Sequence, residues 1–297
     1  MSPNIYKMEN SILEIQAVND LLVEKVSDQI SFGTFDDSDS QILEQLVEGL
    51  GDPRGLVRLR FAETLGEIGE AATPFLMRSL ANHDNVVVRR AAAKTLTIIG
   101  DPIAVPTLLN SFLNDPDTVV RSSAAGALAK TGEASVPALL EILGDDSKSQ
   151  DIKGHAAWAL AFIGSEGADY LYKALDSASL DVRCAVIGAI GHVAQEQSDE
   201  KSCNLLVSAL TDPEAIIRAE AATALAQVNY PPALTHLILA LQDVDLDVRK
   251  AAVNSLGKMG NALALEALQN LLDDQEQVIK VLAKIAIAQI HRQAEED

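Results

Sequence analysis

The stretch that decides the fold is Asp115–Gly132, DPDTVVRSSAAGALAKTG. It opens on Asp-Pro, runs through a β-branched residue into Arg121, and continues as an alanine-rich apolar segment that stops at Gly132. Related runs stand at Asp52–Gly69, DPRGLVRLRFAETLGEIG, and at Asp243–Gly260, DVDLDVRKAAVNSLGKMG. The basic residues of the series are Arg58, Arg89, Arg121, Lys153, Arg183, Arg218, Arg249 and Lys280, spaced 31, 32, 32, 30, 35, 31 and 31 residues apart. A period near thirty held this long marks a repeat array.

Each repeat reads as two helices. ATPFLMRSL, SVPALLEIL and PALTHLILAL are first helices. The turn follows at Asp52-Pro53, Asp115-Pro116 or Asp212-Pro213, where the aspartate is expected to cap the second helix and the proline to sit in its first turn. Glycine eleven residues after the basic residue, as in Gly69, Gly100, Gly132, Gly164 and Gly260, is expected to close that helix with positive φ. Pro74, Pro106 and Pro137 open the next first helix. Counted from the basic residue, positions −1, +3, +4 and +7 form one apolar stripe, as in Val120, Ala124, Ala125 and Leu128. No single pair can bury that stripe alone, so neighbouring pairs must stack. The expected fold is all-α: an α-solenoid of about eight HEAT-like helix pairs, with residues 41–297 as the solenoid.

Residues 1–40 lack the repeat. Ile15, Val18, Leu22, Val26 and Ile30 share a helical face, which predicts an N-terminal capping helix packed on the first pair. SFGTFDDSDS then reads as an acidic linker. AQEQSDEKS lengthens the fifth spacing to 35 and predicts a longer loop.

Composition narrows the function. The 297 residues carry 23 basic and 43 acidic side chains, a formal net charge of −20. Nucleic acid and anionic membrane surfaces would be repelled by that field. There is no apolar run of transmembrane length and no secretory leader pattern, so the chain is expected to be cytoplasmic. Two cysteines build neither a disulfide framework nor a complete zinc site, and the five histidines are isolated. No phosphate loop, G-x-S-x-G or H-E-x-x-H occurs. Paired His-Glu dipeptides that would hold iron on a scaffold of this kind are absent, as is a basic groove for DNA. The expectation is a chain without catalytic or metal-binding residues and without a cofactor.

The D-P-x-x-x-V-R and A-A-x-x-L-x-x-x-G runs resemble the HEAT-like repeat of the cyanobacterial phycobilin lyases of the E/F type and their non-lyase relatives. The match covers Gln41 to Ile290. The resemblance implies a non-catalytic protein-binding scaffold or chaperone-like factor in phycobiliprotein or phycobilisome assembly or turnover. Phycobiliprotein subunits are the implied partners. It also implies two alternatives. One is a bilin lyase or lyase subunit with bilin as bound ligand, for which Lys130, His155, Glu166 and Arg183 are available. The other is an adaptor in iron–sulfur cluster assembly.

In HEAT arrays the second helices line the concave face, and there positions +1, +5 and +9 vary from repeat to repeat. Trp158, the only tryptophan, and Phe162 occupy +5 and +9 of the fourth repeat. The +5 residues of the flanking repeats are Gly126 and Gly188. With helices about 8–10 Å apart, their missing side chains would leave a notch beside the indole. His155, Cys184, His192 and Lys130 border it. The expected partner-binding centre is therefore Trp158, Phe162, His155, Lys130, Gly126, Gly188, Cys184 and His192; the competing account is that Trp158 fills a packing gap. Arg183 beside Cys184 is of the kind that lowers a thiol pKa, but a small, apolar-tolerant position is the preferred account of Cys184. Cys203, among Leu205 and Leu206, reads as core. The recurring Asp and Arg are expected to form a ladder between repeats. In the last helix, Val281, Leu282 and Ile285 are apolar at positions that are mostly polar or small elsewhere, which points either to an altered cap or to a second contact, with self-association through this helix as one form of it.

Overall fold

The computed structural model describes residues 3–197, 199–228 and 230–296, with side chains from Leu13 to Glu295 at those positions. Every long element is a helix. After α1 (Pro3–Ser31), eight pairs follow: α2 (Ser40–Gly49) with α3 (Gly55–Ile68), α4 (Thr73–Asn82) with α5 (Val86–Ile99), α6 (Val105–Asn114) with α7 (Thr118–Lys130), and α8 (Val136–Gly144) with α9 (Gln150–Ile163). Then come α10 (Ala168–Ala174) with α11 (Leu180–Gln197), α12 (Glu200–Ala209) with α13 (Ala215–Val228), α14 (Leu234–Ala240) with α15 (Leu246–Met259), and α16 (Leu265–Asn270) with α17 (Gln277–Glu296). The fold is the expected all-α array of HEAT-like pairs. It divides into two compact units, residues 1–138 and 139–297.

Within each unit the second helices stack on one another, α3 on α5 on α7 in the first, and α9 on α11 on α13 on α15 on α17 in the second. The residues at −1, +3 and +7 close the core between them: Val120, Ala124 and Leu128, and Val248, Ala252 and Leu256, are fully buried. The closing glycines adopt positive φ at Gly69, Gly100, Gly132, Gly164 and Gly260. At Gly100 the need is twofold, since a Cβ there would also stand 2.9 Å from the Lys130 carbonyl oxygen.

The Asp–Arg ladder is present, and it is built differently from a simple cap. The turn aspartate does not cap the second helix. Asp115, Asp212 and Asp243 each accept from the backbone N–H two residues on, at 2.8 Å. The caps are the residues two places later: Asp117 accepts from the N–H groups of Val119 and Val120, and Asp245 from those of Asp247 and Val248. This frees the turn carboxylate for the arginine of the preceding repeat. Arg89 donates to Asp115 at 2.9 Å, and Arg218 reaches Asp243 through two bonds of 2.7 and 2.8 Å. Arg58, Arg89, Arg121, Arg218 and Arg249 also donate to the carbonyl six residues before them, as Arg58 does to Asp52, Arg218 to Asp212 and Arg249 to Asp243. One side chain thus ties its own turn to the next one.

Arg218 holds the Asp243 carboxyl below its ordinary range. A depressed carboxyl stabilises the fold above its unfolded pKa, and that stability is lost as pH falls through the folded value. Asp243→Asn keeps the turn bond and loses the ion pair. It is expected to lower stability at pH 7 by about 2 kcal/mol, and the difference from the parent chain should shrink below about pH 4, read by urea denaturation at both pH values.

Two expectations fail in the backbone. AQEQSDEKS does not form a longer loop; α11 continues to Gln197, and α12 starts at Glu200 with Asp199 as its cap. The position that carries glycine elsewhere is Ala194 here, and the Gln-Glu-Gln that follows consists of good helix formers, so the added residues extend the helix. On α1 the predicted apolar face is only partly used. Val26 is buried, together with Val23, but Ile15 and Val18 are exposed. Polar bonds fix the helix instead: Arg54 donates to Asp20 and to the Gln16 carbonyl, and Asn19 donates to Asp52.

Candidate binding face on the second helices

Large apolar side chains left exposed on the second helices follow one register. In the first unit they are Leu56 and Val119 at −2, Leu59 at +1 and Ile98 at +9. In the second they are Trp158 at +5, Phe162 at +9, Ile216 and Val278 at −2, Val281 at +1 and Ile285 at +5; Leu180, at −3 on α11, is the exception to the register. At 100° per residue these positions lie within about 80° of one another on a helix. On six of the eight second helices, α11 and α15 being the exceptions, this stripe presents large apolar groups to solvent, while the stripe at −1, +3 and +7 fills the core.

Trp158 is the centre of the second unit's stripe. It is 52% exposed, so it does not fill a packing gap. Its ring lies 5.6 Å from that of Phe162, one turn on, at an interplanar angle of 35°. His155, one turn earlier, has its Nδ1 2.8 Å from the Asp151 carbonyl oxygen. These three side chains form a continuous surface along α9. Gly126 and Lys130 are on α7, in the first unit, and a Cβ on Gly126 would meet nothing within 4 Å.

The remaining predicted residues, Cys184, Gly188 and His192, line a groove of about 410 Å³ that crosses α9, α11 and α13. From α9 it takes Lys153, Gly154, Ala157 and Ala161, so Trp158, His155 and Phe162 are not part of it. The expected notch and the aromatic pair are thus neighbours on adjacent faces of α9. On α9, Ala157 and Ala161 at +4 and +8 line the groove, whereas Trp158 and Phe162 at +5 and +9 are exposed beside it. Gly188 does not leave its space empty either. A Cβ there would stand 2.8 Å from Glu220 Oε1, which leans over the glycine from α13.

Glu220 was not legible as a site residue. It stands at +2, a position that holds alanine in three repeats but arginine, serine, histidine and leucine in others, so no pattern along the sequence singled it out. Burial pushes its carboxyl up. The same surroundings decide the state of Cys184. Burial first, then the Glu220 and Asp181 carboxylates, push its thiol up to about 11, against the lowering expected from Arg183. Arg183 is turned into the ladder, 3.9 Å from Asp212. Cys203 is core, as expected. Cys184 is accordingly expected to react with iodoacetamide at pH 7.5 about 100-fold more slowly than an unperturbed thiol, with the rate rising steeply above pH 10, measured by mass spectrometry of the alkylated peptide.

Among the described residues no group of three or more His, Cys, Asp or Glu side chains is placed to hold a metal ion. No described helix is long and apolar enough to cross a membrane. In α17, Val281 and Ile285 are exposed and Leu282 is half-buried. Position +4 there is an exposed lysine, Lys284, where six of the other seven repeats carry alanine or valine and α11 carries Ile187.

Comparison with known proteins agrees with this architecture. The model of HEAT repeats matches residues 43–129, 111–179, 136–219, 168–244 and 204–288. The bilin biosynthesis protein MpeU of Synechococcus sp. (strain WH8020) is 40% identical over 268 residues, which cover 89% of this chain and 90% of that protein. Among solved structures, the karyopherin Kap121p bound to Pho4p aligns over 98% of this chain and 38% of its own, with a TM-score of 0.61 and 16% identity, a likeness of fold alone. The complex of CpcE and CpcF of phycocyanin lyase from Nostoc sp. PCC7120 aligns over 52% of this chain and 98% of that one, at 22% identity and a TM-score of 0.46. The chain belongs to the HEAT-repeat family, in the group that joins the E/F-type phycobilin lyases with their non-lyase relatives.

Proposed function

We propose that the chain is a non-catalytic protein-binding scaffold, chaperone-like in action, that serves phycobiliprotein assembly or turnover. The observation that carries the binding role is the registered apolar stripe of the second helices, with the exposed Trp158–Phe162 pair at its centre in the second unit. A core needs no such stripe, and exposed apolar groups in register fit a docking face better than scattered surface residues do. The name of the 40% identical relative, a bilin biosynthesis protein, directs the choice of partner to phycobiliprotein subunits.

The same name supports a second reading, a bilin lyase or one subunit of such an enzyme. Purified phycobiliprotein α and β subunits, without and with bilin, separate the two. A scaffold forms a stable complex on gel filtration with no covalent product. A lyase produces a bilin adduct that survives denaturation and absorbs in the visible range. Absence of both complex and adduct would remove phycobiliproteins as the partner.

A further inference from the structure

The groove over Gly188 holds a charge that the chain itself does not neutralise. Glu220 projects from α13 across Gly188 of α11, with Oε1 2.8 Å from the place of the missing Cβ. Among the described residues no hydrogen bond or ion pair reaches its carboxylate. The cations around it are committed elsewhere. Lys153, in the groove wall, pairs with Asp181 and Asp146. Arg218, two residues before it, is held by Asp243, and Arg183 faces Asp212. A half-buried carboxylate without a counter-charge is costly, and its pKa rises in answer.

The rest of the lining suits one kind of guest. Ala157, Ala185 and Ala189 give a small apolar floor along which an aliphatic stem can lie. Gln150 and Gln227 also line it. Its α9 wall lies next to the face of α9 that carries Trp158 and Phe162. With a chain charge of −20, an incoming cation is favoured at every distance. The half-buried carboxylate of Glu220 argues against an anion, and the ammonium of Lys153 in the wall is already held by Asp181 and Asp146.

We propose that this groove receives an arginine side chain of the protein partner, its stem over Gly188 and Ala185 and its guanidinium on Glu220. The planar fork can meet both oxygens of the carboxylate together, whereas an ammonium acts as a point charge only. The aromatic pair then packs on the partner residues next to that arginine. This inference rests on the protein-binding reading of the second-helix face and names what the partner must carry.

The test uses the full chain, labelled with ¹⁵N, and a blocked peptide, acetyl-Ala-Arg-Ala-amide, with the citrulline peptide of the same shape as the neutral control. Expected are amide shifts centred on Gly154, Gly188 and Glu220 with the arginine peptide, and at least tenfold weaker binding of the citrulline peptide. Glu220→Gln should weaken the arginine peptide at least tenfold, and Gly188→Leu, which fills the groove, should do the same, both with the helical circular dichroism of the parent. Equal binding of the two peptides, shifts spread over the acidic surface, or full affinity in Glu220→Gln would overturn the proposal. The two readings fail separately. If phycobiliprotein subunits bind the parent and Glu220→Gln alike, the arginine site is wrong and the scaffold reading stands. If the subunits do not bind while the peptide behaves as expected, the site stands and the choice of partner falls.

Discussion

Replacing Trp158 with alanine is expected to weaken binding of the protein partner by about 30- to 1000-fold, the effect of removing a central hot-spot residue worth some 2–4 kcal/mol. The expectation follows from exposure and position. The indole is half exposed and lies tilted against Phe162 at the surface, so its removal opens no cavity in the core. It is the one large aromatic pair on the second-helix stripe of its unit, and aromatic anchors with few rotatable bonds lose little entropy on binding. Folding should therefore be unchanged: the same helical signal, the same thermal midpoint. Calorimetric titration against the purified partner gives the loss, and circular dichroism gives the control. A Trp158→Ala chain that binds as tightly as the parent would move the docking face off α9, and one that unfolds would mean that the indole is structural after all. Phe162→Ala should show a smaller loss of the same sign, since it supports the indole from one turn away.

The second large effect concerns stability. Phe61→Ala is expected to cost about 3–5 kcal/mol, the range for deleting a fully buried aromatic ring. Phe61 is wholly buried on α3, and its ring lies against Gly49 at the end of α2, so closely that any Cβ at Gly49 would overlap it. Gly49 is thus not a turn glycine; it is the socket for the ring. The glycine has no side chain to move into the vacated space, so the site relaxes poorly. Because each repeat leans on its neighbours, the loss should appear first in the first unit, as faster amide exchange in α2 and α3, before exchange in α13 or α15 changes. Gly49→Ala should also destabilise, since the ring would have to leave its place. A cost of less than about 1 kcal/mol for Phe61→Ala would mean that α1 and α2 close onto the gap, and the socket account would be wrong.

The ladder and the groove make different demands on the same kind of residue. Arg218 and Arg89 are spent on joining repeats, each bound to a carboxylate of the next turn and a carbonyl of its own. Glu220 has the matching charge and no such partner. A repeat array can leave one position out of its internal pairing without loss of fold, because each interface is set by its neighbours alone. Such positions are where binding is built on a scaffold whose core is fixed.

The sequence by itself determined the pair count and the register. Those follow from short-range rules: 3.6 residues per turn places −1, +3, +4 and +7 on the core stripe and +1, +5 and +9 on another, and Gly100 or Gly260 ends a helix because its own φ must be positive. Trp158 and Phe162 were legible for the same reason, as large side chains at open positions. Tertiary structure decided what depends on a neighbour thirty residues away. It turned Asp115 from a cap into the partner of Arg89 in the preceding repeat, with Asp117 as the cap. It placed Glu220 over Gly188, raised the Cys184 thiol that Arg183 was expected to lower, and left Ile15 and Val18 outside the packing of α1. Spacing along one helix fixes which way a side chain points; the charge, burial and room that it meets are supplied by the helices stacked against it.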